Sequence, residues 1–400
     1  MEYSESQKKA IEYIKEGKNI FLTGSAGNGK SYLLKSLKTL FPDKCIVLTA
    51  TTGVAAFNLT GCTINSLLGL GIGEYSIEKI IKKMFPEKRK FIKNIDILVI
   101  DEISMMNSVL LEQINNLLKQ ITMRNIFMGG IQIIVSGDFF QLPTIKGNLV
   151  FENKLWKNFI PIILDTNFRQ TGDTQYFELL QRIRIGNVKK EDIELLKTRI
   201  KRKKETFSIF PINSQVNSFN EKMYNELKTE EHTFTTKYRG DNSLIKELKK
   251  QFLDKNLEVM KLKVGCRVML VRNLNSDIGL VNGSMGIVKE IGKQCVNVIF
   301  DHIKNKPVEI VELEWKNELG RISCVATQIP LIVAFSSNIH KLQGSTLNEA
   351  NMDLSKCFCF HQVYVALSRI KTLDGLYLTG FDAKKIMVNK KVVEYYKEIE

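Results

Sequence analysis

The eight residues GSAGNGKS, Gly24 to Ser31, follow the apolar run NIFLT and precede SYLLKSLKTL, whose apolar residues recur at helical spacing. They fit G-x-x-x-x-G-K-[ST] with a strand before the loop and a helix after it, which commits this part of the chain to an α/β layer. Glycines let backbone N–H groups close around phosphates at a helix N-terminus. Gly24, Ser25, Ala26, Gly27, Asn28 and Gly29 supply that loop, Lys30 reaches the terminal phosphates and Ser31 can hold Mg²⁺. An ordinary glycine loop is the competing reading, and the strand and helix flanks argue against it.

The same organisation continues along the first half. FLT, CIVLTA, DILVIDE and IQIIVSGD are uniformly apolar runs, as expected of a parallel sheet covered on both faces. SYLLKSLKTL and SVLLEQINNLLKQI read as helices between them. The glycine-bearing, then basic, interval 67–94 reads as an excursion from the sheet. A loop, TNFRQTGD, follows Asp165, and charge and helix formers crowd 189–204, so a boundary between two large units is expected there. From 264 to about 314 the pattern changes to short alternating runs with turn signals, VGCRVMLVRNL, LVNGSMGIVKEIG and CVNVIFD, which predict a β-rich insertion. The α/β pattern is expected to resume with LIVAFSSNIH and to close with GLYLTGF.

Four hundred residues exceed a single core, so about two to three domains are expected. The net charge of +15 suits polyanions, nucleic acid before an anionic membrane. MEYSESQKKAIEYIKEG lacks the apolar core of a secretory signal, and no run reaches the roughly 18 apolar residues of a membrane span. The expectation is a soluble, intracellular protein without a membrane partner. Seven scattered cysteines do not form a disulfide framework and fit a reducing compartment.

A phosphate loop serves many chemistries, and a second acidic site narrows them. Asp101-Glu102 ends the run ILVI. Asp101 is positioned to coordinate Mg²⁺ through water, and Glu102 is a candidate base for an attacking water. Gln141 in GDFFQLP follows another strand and could sense the γ-phosphate or orient water, since an amide both donates and accepts. Arg169 in NFRQ and Arg369 in YVALSR are candidates to stabilise charge on the transferring phosphoryl group. Taken singly, either arginine is more often a surface ion-pair partner.

The ordered blocks QKKAIE, GSAGNGKS, TATTGVAA, GCTINSLLGLG, DEISMM, GGIQIIVSGDFFQLP, LDTNFRQ, LVNGSMGIV, IHKLQGSTL and YVALSR resemble the Pif-type (petite integration frequency) helicases, in the RecD-like branch of superfamily 1B. The resemblance runs from about residue 3 to 380. It implies an α/β fold of two RecA-like P-loop domains, parallel sheets with helices on both faces. The first domain would span 1–165 with a short wedge insertion at about 67–94. The second would span 166–400 with an accessory insertion at about 221–325, including a β-rich SH3-like part at 264–314. The implied activity is an ATP-dependent, 5′-to-3′ DNA helicase, a DNA-stimulated ATP hydrolase with ATP and Mg²⁺ as cofactors, acting in DNA replication, repair or recombination. Implied partners are single-stranded and tailed duplex DNA, with G-quadruplex and RNA–DNA hybrid as further structures, bound by a monomer or a DNA-induced dimer.

Carried over by position, Gln7 is similar to the family's adenine-reading glutamine, and Lys30, Ser31, Asp101, Glu102, Gln141, Arg169 and Arg369 take the roles argued above. Gly344 matches a glycine close to the phosphates. Thr51, Thr52, Gly53, Asn65 and Ser66, with His340 and Lys341, are implied strand contacts. Hydroxyls, amides and backbone groups position a strand without reading its sequence. Phe57, Phe139 and Phe140 either stack bases or fill the core.

This chain departs from the family pattern at three places: Asn65 stands where histidine is usual, Leu342 interrupts HKSQG, and Thr144 replaces the second proline of QLPP. None removes a catalytic side chain. CFCFH, Cys357 to His361, would set two thiols and an imidazole on one face of an extended strand, but no fourth metal ligand stands nearby and buried packing is the better reading. Asn58-Leu59-Thr60 is a glycosylation sequon that matters only in a secreted protein. Two alternatives accompany the helicase reading. One is a nucleotide-regulated single-strand clamp or remodeller that does not unwind duplex, and the other is a small-molecule kinase, which would not need the second arginine-bearing half.

Overall fold

In the computed structural model the described residues are 3–70, 76–144, 147–165, 173–254, 256–275, 278–280, 282–303, 306–319 and 322–400. The chain divides into two compact units, one formed by Met1–Pro211 with Ile339–Glu400 and the other by Ile212–Asn338.

The first unit is built on a six-stranded sheet in the order Cys62–Thr63, Ile46–Ala50, Ile97–Asp101, Gln132–Ser136, Ile20–Thr23, Ile160–Ile163. Every pairing in it is parallel. Ile20–Thr23 and Ile97–Asp101 are buried at every residue, which is why these strands read as unbroken apolar runs. The helix Lys30–Leu40 buries Leu33, Leu34 and Leu37 in a core shared with Ile20, Leu22, Leu48, Val99 and Ile134. The helix Ser108–Thr122 begins at Asn107, whose side chain accepts from Leu110 N, and it buries Leu111, Ile114, Leu117 and Leu118. Within the excursion 67–94 the described residues form two helices, Ile77–Lys83 and Pro86–Lys93, both packed against Ser108–Thr122.

The same unit contains a second parallel arrangement, Ser208–Phe210 beside Ala350–Asp353 beside Leu376–Gly380. The helix Thr174–Ile185 packs against Gln362–Leu367, and Tyr176 donates its hydroxyl to Leu367 O at 2.8 Å. The chain closes with the helix Lys390–Ile399, which buries Val392 and Tyr396.

The unit Ile212–Asn338 is mainly antiparallel. A five-stranded sheet runs Val308–Val311, Cys295–Phe300, Met285–Ile291, Arg267–Leu270, Leu331–Val333. Val268, Leu270, Val288, Val296, Val298 and Phe300 fill its core. The helix Asn242–Asp254 packs on a three-stranded sheet of Leu313–Leu319, Ile322–Gln328 and Lys237–Gly240, where Leu248, Phe252 and Ala326 meet.

Two expectations are corrected. LIV at 331–333 does not resume the parallel pattern: it pairs antiparallel with Arg267–Leu270, because a short apolar run fits a buried strand of either kind. Residues 355–361 are not an extended strand: they form turns that lead into the helix Gln362–Leu367, with His361 at φ 63° as its N-cap. Cys357 is buried there, as the packing reading expected, and no metal-holding group of three His, Cys, Asp or Glu occurs among the described residues. Among the described residues no helix is long and apolar enough to cross a membrane.

Candidate nucleotide site

The loop Gly24–Gly29 turns at positive φ where the strand Ile20–Thr23 ends. At Gly24 φ is 142° and a Cβ would stand 2.5 Å from Leu164 O, so no side chain fits. Gly29, at φ 77°, caps the helix that starts at Lys30. The loop braces itself: Ser25 Oγ donates to Asn28 Oδ1 at 2.8 Å, and Asn28 Nδ2 donates to Leu164 O. Lys30 Nζ donates to Gly24 O at 2.6 Å and Ser25 O at 2.9 Å. Burial pulls its ammonium below the ordinary lysine range, while the charges of Asp138, Glu102 and Asp101 oppose that shift.

A cavity of about 280 Å³ is lined by Ala26, Gly27, Asn28, Gly29, Lys30, Ser31, Tyr32, Glu102, Gln141, Gly344 and Arg369. Residues singled out from five separate blocks of sequence therefore meet on one cavity wall. Gly24 and Ser25 line a smaller neighbouring cavity of about 200 Å³ with Asn28, Arg184 and Tyr396. Gln7 lines neither: it is buried in the helix Glu5–Lys15, where its Oε1 accepts from Ser4 N at 3.0 Å and its Nε2 has no partner among the described residues. Arg169 lies outside the described residues.

Asp101 ends the strand Ile97–Asp101 and its Oδ1 accepts from Glu102 N at 2.9 Å. Burial and the adjacent Glu102 charge push its carboxyl up to about 7. That buried negative charge suits a hard divalent cation, which takes oxygen ligands and keeps several waters; Ser31 lines the cavity, and Asp101 lies behind Glu102 and is not part of its lining. Glu102 sits at φ 55°, an uncommon conformation for a side chain of this size, and its carbonyl is held by Thr51 Oγ1 at 2.7 Å. Gln343 Nε2 donates to Glu102 Oε2 at 3.0 Å. Gln141 is buried in the turn after Gln132–Ser136, and its Oε1 has no partner among the described residues. Arg369 is 2 % exposed and donates to Val365 O, Ser345 O and Ser368 Oγ at 2.8 to 3.0 Å.

A buried ion pair underlies the loop. Arg184 donates to both Asp138 oxygens, at 3.0 and 2.9 Å, and its guanidinium lies 4.4 Å from the Phe140 ring centre. Burial alone would raise the Asp138 carboxyl, but Arg184 and Lys30 hold it below the usual carboxylate range. Tyr396 completes the group: its hydroxyl pairs with Thr23 Oγ1 at 2.5 Å, accepts from Phe139 N at 3.2 Å and donates to Asp138 Oδ1 at 3.4 Å. Phe139 and Phe140 are core residues, 3 % and 2 % exposed, with Phe139 against Phe21, Phe151, Trp156 and Tyr395. Of the two readings open for them, packing is the one observed. The side chain of Phe57 lies outside the described residues.

Sequence reasoning assigned no role to Asp138, Arg184, Gln343 or Tyr396. Gln343 had a signal, its place beside Gly344; Arg184 and Tyr396 had none, since only the fold carries them to the strand ends.

The candidate strand contacts lie on exposed or half-exposed backbone. Thr51, Thr52 and Gly53 follow the strand Ile46–Ala50, and Thr52 Oγ1 accepts from Ala55 N at 3.2 Å. Asn65 and Ser66 are exposed on the short helix Ile64–Leu68, where Lys88 Nζ donates to Ser66 O at 2.9 Å. His340 and Lys341 open the turn His340–Leu342. Burial lowers the His340 imidazole from its ordinary value, and its ring stacks with Phe358 at 6.3 Å between centres.

The PIF1-like helicase family pattern matches residues 2–194, and that of the Pif1 2B domain matches 246–291. The ATP-dependent DNA helicase Pif1 of Bdellovibrio bacteriovorus is 31% identical, with all of this chain covering 93% of that protein. The chain belongs to the Pif1 helicase family. The human ATP-dependent DNA helicase PIF1 is 32% identical over 98% of this chain, which spans 63% of its length; for the Xenopus laevis protein that share is 64%. The crystal structure of the Candida albicans Pif1 helicase superposes with a TM-score of 0.89 over the full length of both chains at 30% identity. Bacteroides Pif1 bound to single-stranded DNA gives a TM-score of 0.80 at 28% identity, covering 100% of this chain and 97% of that one. This Pif1-family chain thus has the RecA-like α/β fold of its relatives, parallel sheets with helices, together with additional β-rich sheets.

Proposed function

We propose that the chain is an ATP-dependent DNA helicase that translocates 5′ to 3′ on single-stranded DNA and unwinds duplex or structured DNA. The observation that carries the reading is the single cavity wall on which the phosphate loop meets Glu102, Gln141, Gly344 and Arg369. A simple phosphate-binding loop needs no glycine and arginine from Gly344 and Arg369, more than 300 residues further along the chain. Gln7 reads adenine, Gly24 to Ser31 cradle the phosphates, and Lys30 and Arg369, with Arg169, neutralise charge developing on the γ-phosphoryl group. Ser31 and Asp101 would hold Mg²⁺, which would supply positive charge toward the phosphates. Glu102 accepts the proton of the attacking water, and Gln141 orients that water. Gly344 lies against the phosphates.

The strand runs over Thr51, Thr52, Gly53, Asn65, Ser66, His340 and Lys341. In domain terms, the first RecA-like domain takes 1–165 with a wedge in 67–94, and the second takes 166–400 with the accessory insertion in 221–325. Single-stranded and tailed duplex DNA are the proposed substrates, with G-quadruplex and RNA–DNA hybrid as further ones, for a monomer or a DNA-induced dimer. One relative's structure is described as DNA unwinding at forked duplex by two coordinating Pif1 helicases.

The test is steady-state ATPase with and without an oligothymidylate. Lys30→Ala should lower strand-stimulated turnover by about a thousandfold or more, equivalent to roughly 4 kcal/mol of transition-state stabilisation, while strand binding persists. Unchanged turnover would sink the assignment.

A further inference from the structure

The residues KTRIKRKK, Lys197 to Lys204, hold six cations and no acid, and the proposed function uses none of them. In the fold they form the outer edge of the second parallel arrangement. Ile200 bridges Leu378 in parallel register, and Leu378 N donates to Arg199 O at 2.8 Å, so the segment runs beside the strand Leu376–Gly380. Arg199 is committed to that attachment: its Nε donates to Leu376 O at 3.1 Å and its Nη2 to Asp374 O at 2.9 Å. The following residues are pinned from beneath by Asn351, which is 2 % exposed in the strand Ala350–Asp353. Its Oδ1 accepts from Lys203 N at 2.9 Å, and its Nδ2 donates to Lys203 O at 2.8 Å and Thr206 O at 3.2 Å. A buried amide thus satisfies both backbone groups of Lys203 and fixes the chain there, while every residue from Lys201 to Glu205 is exposed.

Lys201 and Lys203 stand on one side of this edge, each with Nζ over the Tyr377 ring, 5.7 and 5.6 Å from its centre. That is the alternation an extended segment imposes. Lys203 also donates to Glu349 Oε2 at 2.6 Å, but Lys201 and Lys204 form no ion pair among the described residues. A fixed row of like charges repels itself and is relieved by an anion. From Lys201 to Lys204 the row covers about 10 Å at roughly 3.3 Å per residue, a length over which one strand of a duplex presents about three phosphates. Tyr377 is half-buried beneath the lysines and Ile200 is the only exposed apolar side chain of the segment, which leaves little to insert into a lipid layer. An acidic peptide lying along the chain would find the N–H and C=O of Lys203 already taken by Asn351. A phosphodiester backbone needs only the cations. The row lies at the start of the strand Ser208–Phe210, whereas the turn with His340 and Lys341 follows from its end, where Ile339 N donates to Phe210 O at 3.2 Å. The row is therefore separate from the proposed strand path.

We infer that the edge Lys201–Lys204 is a second nucleic-acid surface, which holds the phosphodiester backbone of a DNA segment other than the tracked strand without reading its sequence. The inference rests on the reading of this chain as a DNA translocase. Lys201 and Lys204 supply the charge, Asn351 fixes the backbone that carries them, and the Tyr377 ring orients the Lys201 and Lys203 amines. The segment held is either the duplex ahead of the tracked strand or the strand displaced from it, which share this chemistry.

The experiment measures equilibrium binding over a salt series for wild type, Lys201→Ala/Lys204→Ala, and the control Lys38→Ala/Lys44→Ala, which removes the same charge from exposed positions elsewhere. The probes are a short oligothymidylate, a blunt duplex, a fork with two non-complementary tails, and polyglutamate. The edge variant should bind the duplex or the fork about tenfold more weakly than wild type, with the salt slope reduced by about 2. Its oligothymidylate affinity and strand-stimulated ATPase should stay within about twofold of wild type, which also shows that it folds. A loss on the blunt duplex identifies the duplex arm, and a loss confined to the fork identifies the displaced strand. Equal losses in the edge variant and the control overturn the inference, as does the absence of a loss on both DNA probes. Polyglutamate bound through the same lysines as tightly as DNA overturns it in favour of an acidic protein partner. Wild-type turnover that ignores oligothymidylate overturns the functional reading instead, and the blunt duplex then judges the edge by itself.

Discussion

In the unit made of Met1–Pro211 and Ile339–Glu400 the ions around the phosphate loop are buried or half-buried, whereas in Ile212–Asn338 most ion pairs among the described residues present an exposed cation, Arg267 with Asp301 being half-buried. Asp138 is fully buried against Arg184, Asp101 and Arg369 are buried and Lys30 is half-buried, each within a web of hydrogen bonds. In the other unit Lys237 pairs with Glu312, Arg239 with Glu314 and Lys261 with Glu231, with each cation more than half exposed. Its cohesion comes from Leu262, Val268, Val296, Val298 and Phe300, all at most 1 % exposed. Burying a charge is costly unless it is compensated, so buried ions persist where their partners and their use are both in place. Charge thus shapes the surroundings of the phosphate loop from inside, while in the β-rich unit it lies mostly at the surface.

The largest effect on stability should come from breaking the buried pair. Arg184→Met leaves Asp138 enclosed without its cation and should cost about 3–5 kcal/mol in denaturant unfolding, as buried pairs do when one partner is removed. Adding Asp138→Asn to Arg184→Met should return part of that loss, because the stranded charge is gone. A single variant within about 1 kcal/mol of wild type would break the contrast between the two units.

A smaller effect belongs to His361, whose imidazole accepts from Asn389 N at 3.3 Å and is held by burial down to about 4, below its ordinary 6.5. The folded state resists protonation while the unfolded state accepts it, so this contribution to stability is present above about 6.5 and is lost as pH falls toward 4. At about 1.4 kcal/mol per pH unit, roughly 3 kcal/mol disappears across that window. Asn tolerates the positive φ of this position, so His361→Asn should flatten the wild-type loss of stability between pH 6.5 and 4 in pH-dependent unfolding. An unchanged slope would assign it to other groups.

The smallest effect is expected in the β-rich unit. Lys237→Ala removes an exposed pair of the kind that contributes roughly 0–1 kcal/mol, and the unfolding midpoint should barely move. A loss comparable to that of Arg184→Met would mean that surface charge also holds this unit together.

Much of the first sheet was legible because most of its strands are nearly continuous apolar runs and its loops carry named chemistry: Lys30 opens the helix after the first strand and Glu102 follows the strand Ile97–Asp101. The strand Leu331–Val333 was misread because three apolar residues carry no period that separates a parallel strand from an antiparallel one. The turns around Cys357–His361 were misread because alternation of thiol and aromatic side chains mimics a strand, while the left-handed His361 that ends the turn leaves no mark in composition. Gln343 could have been suspected from its neighbour Gly344. Arg184 and Tyr396 could not, since their partners Asp138 and Thr23 are 46 and 373 residues away in sequence.

We propose that the nucleotide cleft drives directional movement on DNA. Strand displacement on duplexes bearing either a 5′ or a 3′ single-stranded tail, in ATP and Mg²⁺, tests it most directly. Unwinding is expected from the 5′-tailed substrate alone, abolished by Lys30→Ala. Unwinding from the 3′ tail would contradict the direction, and vigorous strand-stimulated ATPase with no displacement from either substrate would contradict the helicase and leave a nucleotide-driven clamp in its place.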